Sequence, residues 1–222
     1  MRIEKKNLLG NPFIGVFGTT NNNITLLPSG ASEKFKKLTE ETLETEIVSL
    51  NLSNSSLIGL FSLMNDKGIV VPETVYDSEI KLLKEHFDNV GIVSDFTAIA
   101  NLASCNNKSC IASTCLSKET ANTIQETLDV SLTQTTLANT EVVGSCLLIT
   151  DNGFLANPNI SDEELQKIRK TLGLDGNVGS INYGTPFIKG GLIANKKGAI
   201  VGLPTTAYEL GRIDEALFLG RE

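Results

Sequence analysis

One pattern recurs about every 44 residues along this chain of 222: two short apolar runs around a turn, then an amphipathic helix with a capping residue. The turns fall at Ile24, Gly68, Ser109, Gly153 and Gly198, at intervals of 44, 41, 44 and 45 residues. No linker or low-complexity segment interrupts the five copies.

The copy from Gly144 to Leu172 is the clearest. Cys146 to Thr150 and Phe154 to Asn157 read as two strands around Asp151-Asn152-Gly153, whose Asn-Gly pair is expected to supply the positive φ angles of a tight hairpin. Pro158 ends the second strand. Ser161 and Glu164 have capping-box spacing, and Leu165, Ile168 and Leu172 share one helix face. Gly173 is a helix stop, and Val178 to Tyr183 is expected as a third strand.

The other copies follow the same layout. Gly15 to Pro28 and Gly59 to Pro72 read as hairpins of equal length. Ser32 and Asp77 are expected to cap helices with stripes Phe35, Leu38, Thr42 with Leu43, and Ile80, Leu83, Phe87. Ala100 to Ser113 and Lys189 to Gly202 are the third and fifth hairpins. Ser117 caps the third helix, and Thr206 with Glu209 forms a second capping box. The fifth copy lacks a third strand, while Arg2 to Leu8 is a spare strand at the other end. Their pairing would close the five units into a ring.

Composition limits the function classes. A net charge of −7 argues against holding nucleic acid mainly by phosphate neutralisation, and no apolar run approaches the ~18 residues of a membrane span. Four cysteines, Cys105, Cys110, Cys115 and Cys146, are expected as free thiols in the cytoplasm. The first three read as small buried side chains of strands, and their spacing is not that of a zinc site. Cys146 is also placed in a strand.

A five-unit ring raises the question of an enzyme of the arginine deiminase and amidinotransferase kind, which uses a Cys nucleophile with His and acidic partners. His86 is the only histidine, and its place on a helix beside the apolar stripe reads as solvated. No glycine-rich phosphate loop, hydrolase elbow or zinc-protease motif is present. The connections Asn51 to Gly59, Thr97 to Asn101, Ala138 to Ser145 and Asn182 to Gly191 occupy equivalent places, and should gather on one face of a ring.

SSLIGLFSLMNDKGIVVP, EVVGS followed by TDNGFLANP, and GLIANKKGAIVGLPTTAYEL closely resemble the translation initiation factor 6 family in its archaeal form. The resemblance implies an α/β fold of the pentein kind, a five-fold pseudosymmetric ring (α/β propeller) of ββαβ units. One domain over 1–222 is expected, with units at approximately 8–52, 54–97, 98–137, 140–183 and 186–222, closed by strand 2–8. It also implies a ribosome anti-association factor that binds the large ribosomal subunit, on a ribosomal protein near the sarcin-ricin loop, and blocks premature joining of the small subunit. Gly59, Leu60, Asn101, Gly144 and Ser145 match the family's ribosome-facing positions. Ala100 and Lys189 stand where the pattern has glycine. On this reading the chain is a monomer without catalytic residues, metal, cofactor, DNA or membrane partner. The rival reading is a pentein-type enzyme acting on a guanidino substrate.

Overall fold

The computed structural model describes residues 2–218; Met1 and 219–222, the tail of the fifth expected unit, lie outside the described residues. The architecture is mixed α/β, with five three-stranded sheets and a long helix beside each. Chain order begins with β1 (Ile3–Lys5), followed by α1 (Ile14–Phe17), β2 (Thr19–Thr20), β3 (Ile24–Pro28), α2 (Glu33–Leu43) and β4 (Glu46–Leu50). The second unit is α3 (Ile58–Phe61), β5 (Leu63–Met64), β6 (Gly68–Pro72), α4 (Asp77–His86) and β7 (Asn89–Val93). The third is α5 (Ile99–Leu102), β8 (Ala103–Cys105), β9 (Ser109–Ser113), α6 (Lys118–Leu128) and β10 (Ser131–Thr135). The fourth is α7 (Val143–Cys146), β11 (Leu147–Ile149), β12 (Phe154–Ala156), α8 (Asp162–Leu172) and β13 (Gly176–Val178). A 3₁₀ turn (Ile188–Gly191), β14 (Leu192–Ala194), β15 (Ala199–Val201) and α9 (Ala207–Leu217) follow.

In the first four sheets the middle strand runs antiparallel to its hairpin partner and parallel to the strand after the long helix. In the fifth sheet that outer place is taken by β1, which pairs in parallel with β15 at Ile3↔Ala199, Glu4↔Ile200 and Lys5↔Val201. The first strand of the chain therefore completes the sheet of the fifth unit.

No unit buries its apolar surface alone. Leu26, Val48 and Leu52 of the first unit share a core with Ile69, Val71 and Leu83 of the second. Leu27 and Phe35 of the first pack with Ile193 and Ile200 of the fifth. The remaining clusters join units two with three, three with four, and four with five. Each interface removes fully buried aliphatic side chains from water, worth about 1.5–3 kcal/mol apiece, and two of them also bury Phe35 or Phe154. Neighbouring units thus stabilise one another in cyclic order.

The expected caps form at Ser32, Ser117, Ser161 and Thr206, and the last two make full capping boxes with Glu164 and Glu209. Gly173 takes the left-handed conformation that stops α8. Asp77 is not a cap. It is the first residue of α4, and the Glu79 carboxylate instead accepts the Tyr76 N–H at 3.0 Å.

The tight left-handed turns lie elsewhere than expected. Neither Asn152 nor Gly153 has a positive φ, whereas the pairs Leu9-Gly10, Ser53-Asn54 and Ala138-Asn139 do. Each pair is closed by mutual backbone hydrogen bonds between its flanking residues, as in Leu52 and Ser55, which is the type I′ geometry. The third strand of unit four is Gly176–Val178 rather than 178–183, because Asn182 and Tyr183 are left-handed and turn the chain. Four expected hairpin starts, Gly15, Gly59, Ala100 and Gly144, lie in four-residue helical turns, and Cys146 ends α7 instead of lying in a strand. Cys115 is exposed just beyond β9, not a buried strand residue. His86 is not fully solvated: it is partly buried, with Nδ1 3.9 Å from Glu46 Oε1.

Candidate functional site: two ends of a central axis

The first strands of the five hairpins line a cavity of about 50 Å³, bordered by Thr20, Met64, Cys105, Ile149 and Ala194. Each strand leads from a helical turn at one end to a hairpin loop at the other, so the axis has two chemically different ends.

At the hairpin end, Asn21, Asn65, Asn106 and Asn195 each bond in two directions. Each Oδ1 accepts the N–H groups two and three residues on, as Asn21 does from Asn23 (2.8 Å) and Ile24 (2.7 Å). This side-chain turn replaces the left-handed residues that a two-residue hairpin would need. Each Nδ2 donates to the carbonyl of the equivalent residue in the next unit: Asn195 to Asn21 (3.1 Å), Asn21 to Asn65 (2.8 Å), Asn65 to Asn106 (3.1 Å) and Asn106 to Thr150 (3.0 Å). Thr150 holds its own turn through Oγ1 but has no amide to pass on. Beside this chain, Asn22 and Asn107 each donate Nδ2 to both Asp66 and Asp151, at 2.6–2.7 Å. The two carboxylates are thereby occupied by amides, which makes this end a closed structural seam. The sequence signal was the Asn three residues before each turn position, in four of the five copies.

At the other end, α1, α3, α5, α7 and the 3₁₀ turn touch in cyclic order, each against the next and the last against the first. The expected site residues all lie in these turns. Gly59 and Gly144 are buried, while Leu60, Asn101 and Ser145 are partly exposed. The glycines set the spacing: a Cβ on Gly59 would stand 1.9 Å from Gly15 O, and one on Gly144 2.3 Å from Ala100 O. That approach lets Ser145 Oγ donate to Asn101 Oδ1 at 2.9 Å, between adjacent turns.

A rim not anticipated from the sequence surrounds these residues. The residue preceding each turn is apolar in all five units: Phe13, Leu57, Ala98, Val142 and Phe187. Phe13 and Phe187 remain 39% and 44% exposed. Exposed aromatic side chains such as Phe13 and Phe187 are a residue type enriched at protein-binding surfaces.

Groups able to do covalent chemistry are differently placed. Burial pushes the Cys105 thiol up to about 12 and Cys110 well above its usual range. His86 lies at the end of α4, with Glu46 as its acidic neighbour. Among the described residues no group of three or more His, Cys, Asp or Glu is placed to hold a metal ion, and no helix is long and apolar enough to cross a membrane.

The family model described as the eIF-6 family matches residues 3–216. A protein named Translation initiation factor 6 from Staphylothermus marinus is 39% identical over 222 residues, covering 98% of both chains. Proteins of the same name from Pyrobaculum arsenaticum and Pyrococcus horikoshii are 34% and 33% identical; the first covers 95% of this chain and 96% of its own, the second 98% and 99%.

Proposed function

The chain belongs to the eIF-6 family, which supports a translation initiation factor role, and from that premise we propose that it is an anti-association factor acting on the large ribosomal subunit. Its five ββαβ units form one pentein ring, with boundaries at approximately 8–52, 54–97, 98–137, 140–183 and 186–222 and closure by the N-terminal strand. The end of the axis formed by the short helical turns faces a ribosomal protein near the sarcin-ricin loop. Bound there, the protein occludes the surface on which the small subunit docks. No covalent chemistry is required, and the factor works as a cytoplasmic monomer.

The observation that carries this reading is the face of touching helical turns, with Leu60, Asn101 and Ser145 inside an apolar rim. Gly59 and Gly144 belong to the site by letting the turns approach. The net charge of −7 favours encounter with a basic ribosomal protein, through an attraction that salt weakens. Sedimentation with purified large and small subunits tests the proposal. Migration with the large subunit and inhibition of subunit joining are expected; migration with neither, or only with the small subunit, rejects it.

A further inference from the structure

Lys189 stands where three other units have Gly15, Gly59 and Gly144. It carries the Cβ that those positions exclude, and its turn is a 3₁₀ helix where the other four are α-helical. Its side chain reaches from the fifth unit to the third. There Nζ donates to Ala100 O at 3.2 Å and to Ala103 O at 3.3 Å. These carbonyls bracket Asn101 and Leu102, so the ammonium grips the turn that presents Asn101.

Gly144 lies beside the same two acceptors. A Cβ there would stand 2.3 Å from Ala100 O and 2.5 Å from Ala103 O, the oxygens that also accept from the ammonium. The fourth unit's glycine and the fifth unit's lysine therefore serve one contact. A charged donor shared between two carbonyls is stronger than a neutral one and fixes both oxygens at once.

We propose that Lys189 is a positioning residue, a strap across the axis that holds the α5 turn in the geometry in which Asn101 is offered to a partner. The partner's identity rests on the large-subunit reading above; the strap itself does not.

The surroundings make the strap sensitive to pH. Burial pulls the Lys189 ammonium down to about 8. Cys105 on β8 and Cys110 on β9 are the ionisable groups that act on it, and burial keeps both as neutral thiols in this range. Of the elements packed against the 3₁₀ turn, α1, β11 and β14 carry no ionisable side chain, and α7 carries only Cys146, whose thiol burial pushes up. The gripped turn α5 carries none. Below about pH 8 a charged donor holds the two carbonyls; above it a neutral amine holds them more weakly.

The test uses the whole protein labelled with carbon-13 at alanine carbonyls, titrated from about pH 6.5 to 9.5. The Ala100 and Ala103 resonances should move together with a midpoint near 8 in the native sequence and stay flat in Lys189→Met, which keeps an unbranched stem without a donor. Lys189→Gly, which restores the residue found in three other units, serves as a second variant should Lys189→Met fold poorly. Large-subunit affinity at neutral pH should fall roughly fivefold in either variant, and that of the native protein should decline toward the variants as pH rises. Ala100 and Ala103 carbonyl shifts that coincide in the native protein and Lys189→Met across the whole pH range overturn the strap. Carbonyls that titrate, with variants that bind as tightly as the native protein, overturn the positioning role. If the native protein binds no subunit, only the ribosomal reading fails, and the carbonyl titration alone decides the strap.

Discussion

Ser145 donates its hydroxyl to Asn101 Oδ1 at 2.9 Å, joining residues 44 positions apart that hold equivalent places in consecutive units. The bond leaves the Asn101 amide N–H groups free of that partner on a partly exposed face. Repetition thus brings together residues that no local motif marks.

The close packing of the turns makes Gly59 intolerant of a methyl group. Gly59→Ala would set Cβ 1.9 Å from Gly15 O and 2.7 Å from Gly18 O, both backbone atoms, and should cost about 1–3 kcal/mol of unfolding free energy. Gly211, exposed inside α9 with nothing within 4 Å of a Cβ, is the internal control. Gly211→Ala should stabilise by about 0.5–1 kcal/mol in the same urea titration. Equal effects at the two sites would contradict the packing of the turns.

The amide seam at the hairpin end predicts opposite outcomes for two substitutions. Asn65 is buried, accepts two N–H groups and donates to Asn106 O and Leu128 O. Asn65→Ala strands several of these groups and should cost at least about 3 kcal/mol. Thr150→Asn would supply the one missing amide, and should raise the melting temperature by a few degrees, for about 1 kcal/mol.

Removal of residues 1–6 takes away β1 and the Lys6 N–H bond to Val201 O. It exposes the edge of β15 at the seam between the first and fifth units. Thermal unfolding of the truncated chain should fall by about 10 °C or more. A melting temperature equal to that of the full chain would show that the units hold together without this strand.

Glu209 makes stability depend on acid pH. Burial pushes its carboxyl up, but hydrogen bonds from Thr206, Gly184 and Ser180 outweigh that and hold it below the usual glutamate value. A depressed native value means that its stabilisation is present above the ordinary value near 4.3 and is lost as pH falls through the native one. Chemical denaturation between about pH 7 and 3 should show a steeper acid loss for the native sequence than for Glu209→Gln. The variant should already be weaker at pH 7, since an amide oxygen accepts less strongly than a carboxylate.

The sequence and the structure agree wherever the signal was periodic. Helix stripes such as Leu165, Ile168 and Leu172 line one partly or fully buried face, and Ser161 with Glu164 caps as its spacing suggests. Four-residue turns such as Ile58–Phe61 were not legible, because one helical turn has no periodicity to detect. Asn152-Gly153 misled, because Thr150 Oγ1 takes over the turn and Gly153 is instead required by Ala216 O, 2.2 Å from where a Cβ would stand. The capping glutamates also bond beyond their own helices. Glu79 accepts from Ser53 and Asn54, and Glu209 from Tyr183 and Gly184, so one carboxylate fixes a helix start and a distant left-handed turn. For the candidate site, the connections ending at Asn101 and Ser145 were legible as sharing one face, Leu60 only through family resemblance, and the apolar rim only once the turns were seen to touch.

The central claim concerns what the face of helical turns binds. Cosedimentation of the native protein and Asn101→Arg with purified large subunits, alongside their melting temperatures, tests it most directly. The native protein should pellet with the large subunit, while Asn101→Arg should lose about tenfold or more in affinity, with a melting temperature within about 2 °C of native. Asn101→Arg binding the large subunit and blocking small-subunit joining as well as the native protein does would contradict the account.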